Sequence, residues 1–364
     1  TSNSFTIRDD LTIITGTLAD GGTSVYVNGD VINNGTHVGA GKISLNSSSN
    51  TQIISGNGQG VFQNLELINT LGASGSVQIT LMTDITVTGN LTLANNRIFD
   101  ISQFQVTLTT LATVLGTMSS TRFMRTSGVA SDRGIRKFYA DTSAFVFPMG
   151  TGTNYTPATI HIRKIPGAYG SITVRPVPVK HPFTTNTTCL ATYWKIEQAD
   201  FSGLQSASVR LIFNYGTLAD NVAYVPGKYV PAVWSYINDV SLVNETTNLI
   251  TFPGENTISG DYTAGIPAAF SIVTAFYSRS DGTWNNPSTW SNIGYGGSPS
   301  SSIPGTGNPV FIGDGLNYFH TVTVTINGAQ SGSLSLQQGS VLNLGNTTGN
   351  NFGYAVSGST GKVR

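Results

Sequence analysis

The sequence is poor in charge. Lys, Arg, Asp and Glu make up 10 % of its 364 residues and cancel to a net charge of +0, against about 25 % charged residues in an average soluble protein. A neutral chain has no electrostatic reason to seek nucleic acid, whose binding draws much of its affinity from phosphate neutralisation. A single cysteine, Cys189, leaves no intramolecular disulfide to staple the fold. No run of about 18 apolar residues offers a membrane-crossing helix, so no membrane insertion is expected. No window of about a dozen residues keeps a helical hydrophobic period. Disorder is excluded from the other side, because aromatics make up 10 % of the chain and β-branched residues are abundant. What remains is an all-β protein whose surface is covered by Ser, Thr, Asn and Gly in place of Lys and Glu.

Three regions differ in texture. Over residues 1–116 apolar residues come in short bursts: Val25–Val27, Lys42–Leu45, Gln52–Ile54, Asn64–Ile68, Val77–Leu81, Asn90–Leu93 and Gln105–Leu108. Gly, Asn and Asp separate them and mark turns. Short strands at near-regular spacing suit a parallel β-helix or an antiparallel sandwich. The shared grammar of Gly29-Asp-Val-Ile-Asn-Asn-Gly35 and Gly89-Asn-Leu-Thr-Leu-Ala-Asn-Asn96 favours the helix, since Asn tolerates left-handed turns and can ladder between rungs. Over 117–275 Pro, Tyr, Phe and Trp rise and the strands lengthen, as in Ala158–Ile162, Ser171–Arg175 and Ser208–Phe213. This reads as a β-sandwich, with Phe270–Phe276 as its last strand. Over 276–364 the short bursts return, behind a segment carrying Trp284 and Trp290. The expected fold class is therefore all-β: right-handed parallel β-helix (solenoid) segments alternating with a β-sandwich domain. The chain opens without Met and closes in mid-pattern, so we read it as a window on a longer protein.

Trp284 and Trp290 are six residues apart, which places both on one face of an extended strand. Such a pair can stack on a sugar ring, or it can close the exposed end of a solenoid. The cap is the expectation and glycan binding the alternative. Tyr193, Trp194 and Trp234 lie in alternating strands and read as core. Tyr224, Tyr229 and Tyr236 fit a core or a recognition face equally well. The basic cluster Arg122, Arg125, Arg133, Arg136 and Lys137 reads as a junction face rather than a polyanion site.

Catalytic chemistry finds few candidates. Asp9 and Asp10 are adjacent, and Asp30, Asp84 and Asp100 can align on successive rungs. Glycosidase or lyase work requires two carboxylates about 5–10 Å apart in a cleft, with basic partners of which this region has few, among them Arg8, Lys42 and Arg97. His37, His161, His181 and His320 show no metal-ligand spacing. No catalytic residue, metal ligand or cofactor is assigned, and the chain is not expected to be an enzyme. Calcium is the one cation candidate, at Asn28-Gly-Asp30 or Gly313-Asp314-Gly315. The glycosylation triplets Asn34-Gly-Thr36 and Asn186-Thr-Thr188 are expected by chance at this composition.

Several stretches, in order, resemble a family. They are Phe62–Thr70, Ile85–Asn95, Phe145–Ile160 with its Pro-Met-Gly-Thr-Gly-Thr-Asn-Tyr core, Tyr193–Ile196, and Gly282–Trp290 with its Thr-Trp-Asn-Asn-Pro-Ser-Thr-Trp restart. Together they resemble giant repeat-containing cell-surface adhesins of the Bacteroidota, cargo of the type IX secretion system, among them the adhesin carried by the gliding-motility machinery. The resemblance covers nearly the whole chain and implies an extracellular, cell-surface segment that is mechanical or adhesive. Its partners would be surfaces or polysaccharides outside the cell. The secretion or gliding machinery would be engaged through parts outside this chain, where the sorting domain of such cargo would also lie. The alternative is a secreted carbohydrate-binding or polysaccharide-degrading β-helix protein.

Overall fold

A burst of three to five residues buries too little to stand alone and must stack on its neighbours. The computed structural model describes residues 4–185, 188–205, 207–216, 222–230, 233–270, 274–326, 328–344, 356–357 and 362–363. Among these, all regular structure is β apart from three short 3-10 turns at Val240–Leu242, Pro267–Phe270 and Pro287–Thr289. The chain forms two compact units. One holds residues 1–181, 188–230 and 235–267; the other holds 182–187, 231–234 and 268–364.

The first unit opens as a β-solenoid with three parallel faces. One face is the six-stranded sheet Ser4–Ile7, Ser24–Val27, Lys42–Leu45, Leu65–Leu67, Asn90–Leu93 and Thr113–Leu115. The second face runs from Leu11–Ile13 through Val31–Asn33, Gln52–Ser55, Val77–Leu81 and Ile98–Ser102 to Met124–Thr126 and Met149–Thr151. The third runs from Thr17–Ala19 to Gln105–Leu108 and Gly134–Phe138. Register places like on like. Val25, Ile43, Leu65 and Leu91 form one buried column, and Val27, Leu45, Leu67 and Leu93 form the next. Burying each such side chain contributes roughly 1.5–3 kcal/mol. Of the residues between them, Tyr26 and Thr92 are half-exposed and Ser44 and Glu66 are buried, because successive side chains of a strand alternate faces and the outward Ser44 and Glu66 bond each other.

Parallel stacking continues past residue 116, the expected end of the solenoid. Met124–Thr126 pairs in parallel with Ile98–Ser102, and Gly134–Phe138 with Gln105–Leu108. The strand Gly134–Phe138 then takes a second neighbour, Ser171–Val177, in the antiparallel sense. Tyr193–Ala199, Gly260–Gly265 and Val225–Val230 follow, all antiparallel. One hydrogen-bonded sheet thus passes from the coils into the aromatic region without an edge. A second antiparallel sheet, Ala144–Phe147, Ala158–Ile162, Val209–Asn214, Leu249–Glu255 and Val243–Asn244, meets it through rings. Trp194 lies 4.9 Å from Phe213, and Tyr262 lies 5.4 Å from Phe213 and 4.9 Å from Phe252. The expected last strand Phe270–Phe276 is not continuous: Phe270 ends a 3-10 turn behind Pro267, residues 271–273 lie outside the described residues, and a strand begins only at Phe276.

The second unit stacks in parallel again. Phe276–Ser278, Pro309–Ile312, Ser333–Leu336 and Val356–Ser357 form one sheet. Gly282–Thr283, Thr321–Thr323, Val341–Asn343 and Lys362–Val363 form another. Val310 and Leu334 pair across one sheet, and Val322 and Leu342 across the other, all buried.

The junction strand gives the first prediction. Ile135 is fully buried and sits between Val106 of the coils and Val174 of the antiparallel sheet. Ile135→Ala should cost about 2–5 kcal/mol. Hydrogen exchange should show protection lost on both sides, at Val106 and at Val174 together. Loss confined to one side would mean that the coils and the antiparallel layer unfold independently.

Candidate functional site

Trp284 and Trp290 lie inside the second unit. Both side chains are fully buried, in contact with each other at 5.2 Å between ring centroids and packed in one cluster with Phe276, Val310, Ile312 and Leu334. Trp290 Nε1 donates to the Trp284 carbonyl at 2.9 Å. Neither ring offers a face to solvent in this structure. The strand that carries Trp290, Trp290–Ser291, lies antiparallel on the outer edge of Phe276–Ser278, the first strand of the stack. It satisfies an edge that would otherwise expose unpaired backbone groups.

The aligned acids turn out to be rungs of a polar ladder. Asp10 Oδ1 accepts from the Asp30 amide at 2.7 Å, Asp30 Oδ1 from the Ile53 amide at 2.7 Å, and Asp84 Oδ1 from the Gln105 amide at 2.9 Å. Asn64 does the same for the Asn90 amide at 2.9 Å and gives its own Nδ2 to the Gly41 carbonyl at 2.7 Å. Each side chain reaches the backbone of the neighbouring coil, where corner amides have no strand partner. The left-handed turns expected of Asn fall elsewhere: among the described residues of the coils, positive φ belongs to glycines and to Ser102. Asp100 bonds the Ser102 amide and Arg125, and Asp84 also holds Arg133. The calcium candidates are spent the same way, for Asp314 Oδ1 accepts from the amides of Leu316, Asn317 and Tyr318, each at 2.8 Å. Among the described residues no group of three or more His, Cys, Asp or Glu side chains is placed to hold a metal ion. Asn186 and Thr187 of the second glycosylation triplet lie outside the described residues.

The basic cluster ties coils to each other and to the antiparallel sheet. Arg122 donates to the Asn95 carbonyl at 2.9 Å and to Asn96 Oδ1 at 2.8 Å. Lys137, buried beside Leu108, gives its ammonium to the carbonyls of Thr109, Thr110 and Ala112 at 2.6, 2.9 and 2.8 Å. Burial holds its pKa below the usual lysine range. Arg133, Arg136 and Arg175 line a groove with Gln105, Thr173 and Glu197. Arg133 is paired with Asp84, Arg175 with Glu197, and Arg136 donates to Ser171 Oγ at 3.0 Å and lies over the Phe138 ring. Two of the three charges are already neutralised within the chain, which leaves little attraction for a polyanion.

The histidines divide. His161 sits in a strand between Ala144 and Arg210. His320 Nδ1 and Ser278 Oγ are 2.9 Å apart. His181 Nε2 lies 3.0 Å from Asp261 Oδ2, between the rings of Tyr193 and Tyr229. His37 is the unusual one. It occupies an inner column above Leu18, and it and Asp20 are both fully buried, 2.8 Å apart. Gly39, at φ +124°, makes room for the carboxylate, since a Cβ there would fall 2.0 Å from Asp20 Oδ1. That oxygen accepts the amides of Gly22 at 2.7 Å and Gly41 at 3.0 Å. Burial holds the His37 imidazole below its usual range, outweighing the pull of Asp20. Burial alone would push Asp20 up, but the Gly22 and Gly41 amides and His37 together hold it below the usual carboxylate range.

A second cleft, of about 580 Å³, was not legible in the sequence. The hairpin Met149–Thr151 and Asn154–Tyr155, the segment Leu190–Thr192, the pair Tyr215–Gly216, and Ser120 and Pro178 surround it. Its residues come from distant parts of the chain. The only local signal is Tyr155 within the Gly-Thr-Asn-Tyr run.

Comparison with family models, with curated proteins and with solved structures finds no match.

Two outcomes are expected. Trp284→Ala and Trp290→Ala should each cost the second unit about 3–5 kcal/mol, read as lost hydrogen-exchange protection after residue 276 with the first unit unchanged. Unaltered protection there would show that the rings carry no stability. For the His37–Asp20 pair, the folded imidazole resists a proton that the unfolded chain accepts near 6.5. Stability should therefore fall as pH drops through that value, and again below 3.8 as the unfolded Asp20 takes up a proton that the folded one refuses. In urea titrations His37→Gln should remove the upper step and reduce the lower one, which the Gly22 and Gly41 amides still sustain. Stability that rises between pH 7 and 5 in the native chain relative to His37→Gln would mean that His37 is charged in the fold.

Proposed function

We propose that this chain is a non-catalytic, adhesive segment of a large cell-surface protein, in which solenoids alternate with a β-sandwich module. The observation that carries the reading is the continuous sheet across Gly134–Phe138, which joins a stiff parallel stack to an antiparallel layer. Coils spaced about 4.8 Å apart add length at a constant cost per rung, and the antiparallel layer broadens the surface that such a stalk can present. In this proposal the two facing antiparallel sheets are the sandwich, and the stack behind Phe276 is the next solenoid of an array. The ordered resemblance to giant adhesins supports an extracellular location and export by the type IX route, with attachment to surfaces and gliding as the processes served. The engagement of Asp30, Asp84 and Asp100 by backbone amides and arginines supports the non-catalytic reading over a polysaccharide-degrading solenoid, which requires two carboxylates facing a cleft.

The test uses intact cells that express the protein. Antibodies against this chain should label them without permeabilisation, and deletion of its gene should lower their attachment to polysaccharide-coated glass. Labelling only after permeabilisation would overturn the surface reading. Incubation of the purified chain with plant, algal and bacterial polysaccharides should release no reducing ends and no unsaturated sugars. Turnover that disappears in Asp84→Asn would overturn the non-catalytic one.

A further inference from the structure

We propose that the cleft bounded by Tyr155, Ala191 and Gly216 is a binding site for a neutral oligosaccharide chain. The inference rests on the reading of an adhesive surface segment and adds the class of ligand and the residues that would take it.

The lining decides the chemistry. Among the described residues it is lined by Ser120, Thr151, Thr153–Thr156, Pro178, Leu190–Thr192, Tyr215 and Gly216, which carry no carboxylate, ammonium, guanidinium or imidazole. A charged ligand would meet no counter-charge there and would have to shed its water without return. A sugar chain fits such a wall, since each ring has apolar C–H faces and hydroxyl edges. Pro178, Leu190 and the Tyr155 ring supply apolar surface, and Thr153, Asn154, Thr192 and Ser120 supply short hydrogen-bonding groups around it. A volume of about 580 Å³ falls inside the usual range of small-ligand sites.

Two details distinguish the cleft from a crease in the surface. The first is the support of Tyr155. Its strand forms a hairpin with Met149–Thr151 through Gly152, at φ +56°, and its ring packs at 5.7 Å on the fully buried Phe123. The ring is half-exposed and held from behind, so little side-chain freedom is left to lose on stacking. Burial pushes its hydroxyl up to about 12, which keeps it protonated and able to donate. The second is Thr156, whose side-chain hydroxyl is buried beside the cleft and takes no hydrogen-bond partner within the protein. Leaving a buried hydroxyl unpaired costs about 1–3 kcal/mol, which an ordered water between Thr156 and a ligand in the cleft would recover. The Arg133–Arg175 groove is the competing site, and with Arg133 and Arg175 paired to Asp84 and Glu197 it leaves only Arg136 for an acidic glycan.

Isothermal titration of the purified chain with cellohexaose, laminarihexaose and mannohexaose, beside hexagalacturonate as the charged counterpart, tests the proposal. At least one neutral hexamer should bind, with an affinity unchanged in about 1 M salt, where attraction between exposed charges is screened beyond about 3 Å. Tyr155→Ala should weaken binding at least about tenfold, or 1.4 kcal/mol, and Tyr155→Phe should retain most of it. Because Tyr155→Ala also removes packing on Phe123, a second variant is needed. Ala191 is exposed on the rim, and Ala191→Trp should leave the melting curve unchanged and abolish binding. The proposal is overturned if no neutral hexamer binds, if Ala191→Trp binds as the native chain does, or if only hexagalacturonate binds and salt removes it. Cell labelling reads a different property: sugar binding by a protein absent from the cell surface would sink the adhesive role and leave the site standing, and surface labelling without sugar binding would do the reverse.

Discussion

The strand Gly134–Phe138 is the constraint on which the first unit depends. A parallel stack ends in a row of unpaired amides and carbonyls and an open apolar core. Here one strand takes a parallel neighbour on one side and an antiparallel neighbour on the other. The last coil therefore has no free edge on that face, and Ile135 continues the inner column from Val106 to Val174. Lys137, on the inward face beside Leu108, holds three carbonyls of the turn after Gln105–Leu108. A cation there costs desolvation, which its lowered pKa reflects, and the carbonyls offset that cost. The second unit meets the same edge problem with different parts: a short antiparallel strand and two buried tryptophans.

Scarcity of charge shapes the rest of the solenoid. Corner residues cannot all be satisfied by strand pairing, so side chains of Asp and Asn reach one coil along and bond its amides and carbonyls. A carboxylate used in this way is oriented by the backbone amides that it accepts. The buried His37–Asp20 pair is the same device carried inward, with the glycine amides of the turn holding the carboxylate. A surface built this way is neutral and rich in short hydrogen-bonding groups, the kind of surface on which an uncharged, hydroxyl-rich ligand loses little by shedding its water.

The sequence by itself determined the class of structure. Period-two bursts cut by Gly, Asn and Asp can only be short strands, and too little charge and too many aromatics leave no alternative to a packed β protein. The strands of the aromatic region, Ala144–Phe147, Ala158–Ile162 and Ser171–Val177, are legible because each alternates or carries β-branched residues over its full length. The tertiary structure alone decided where pairing changes sense, since Gly134–Phe138 looks the same in sequence whether its neighbour runs with it or against it. It also decided which Asp and Asn meet the next coil, because that depends on turn lengths that set the register and not on residue type. The burial of Trp284 and Trp290 and the assembly of the Tyr155 cleft follow the same logic: a spacing of six puts two rings on one face only along an extended strand, whereas the chain here turns through Pro287–Thr289, and the packing of distant strands turns both rings inward.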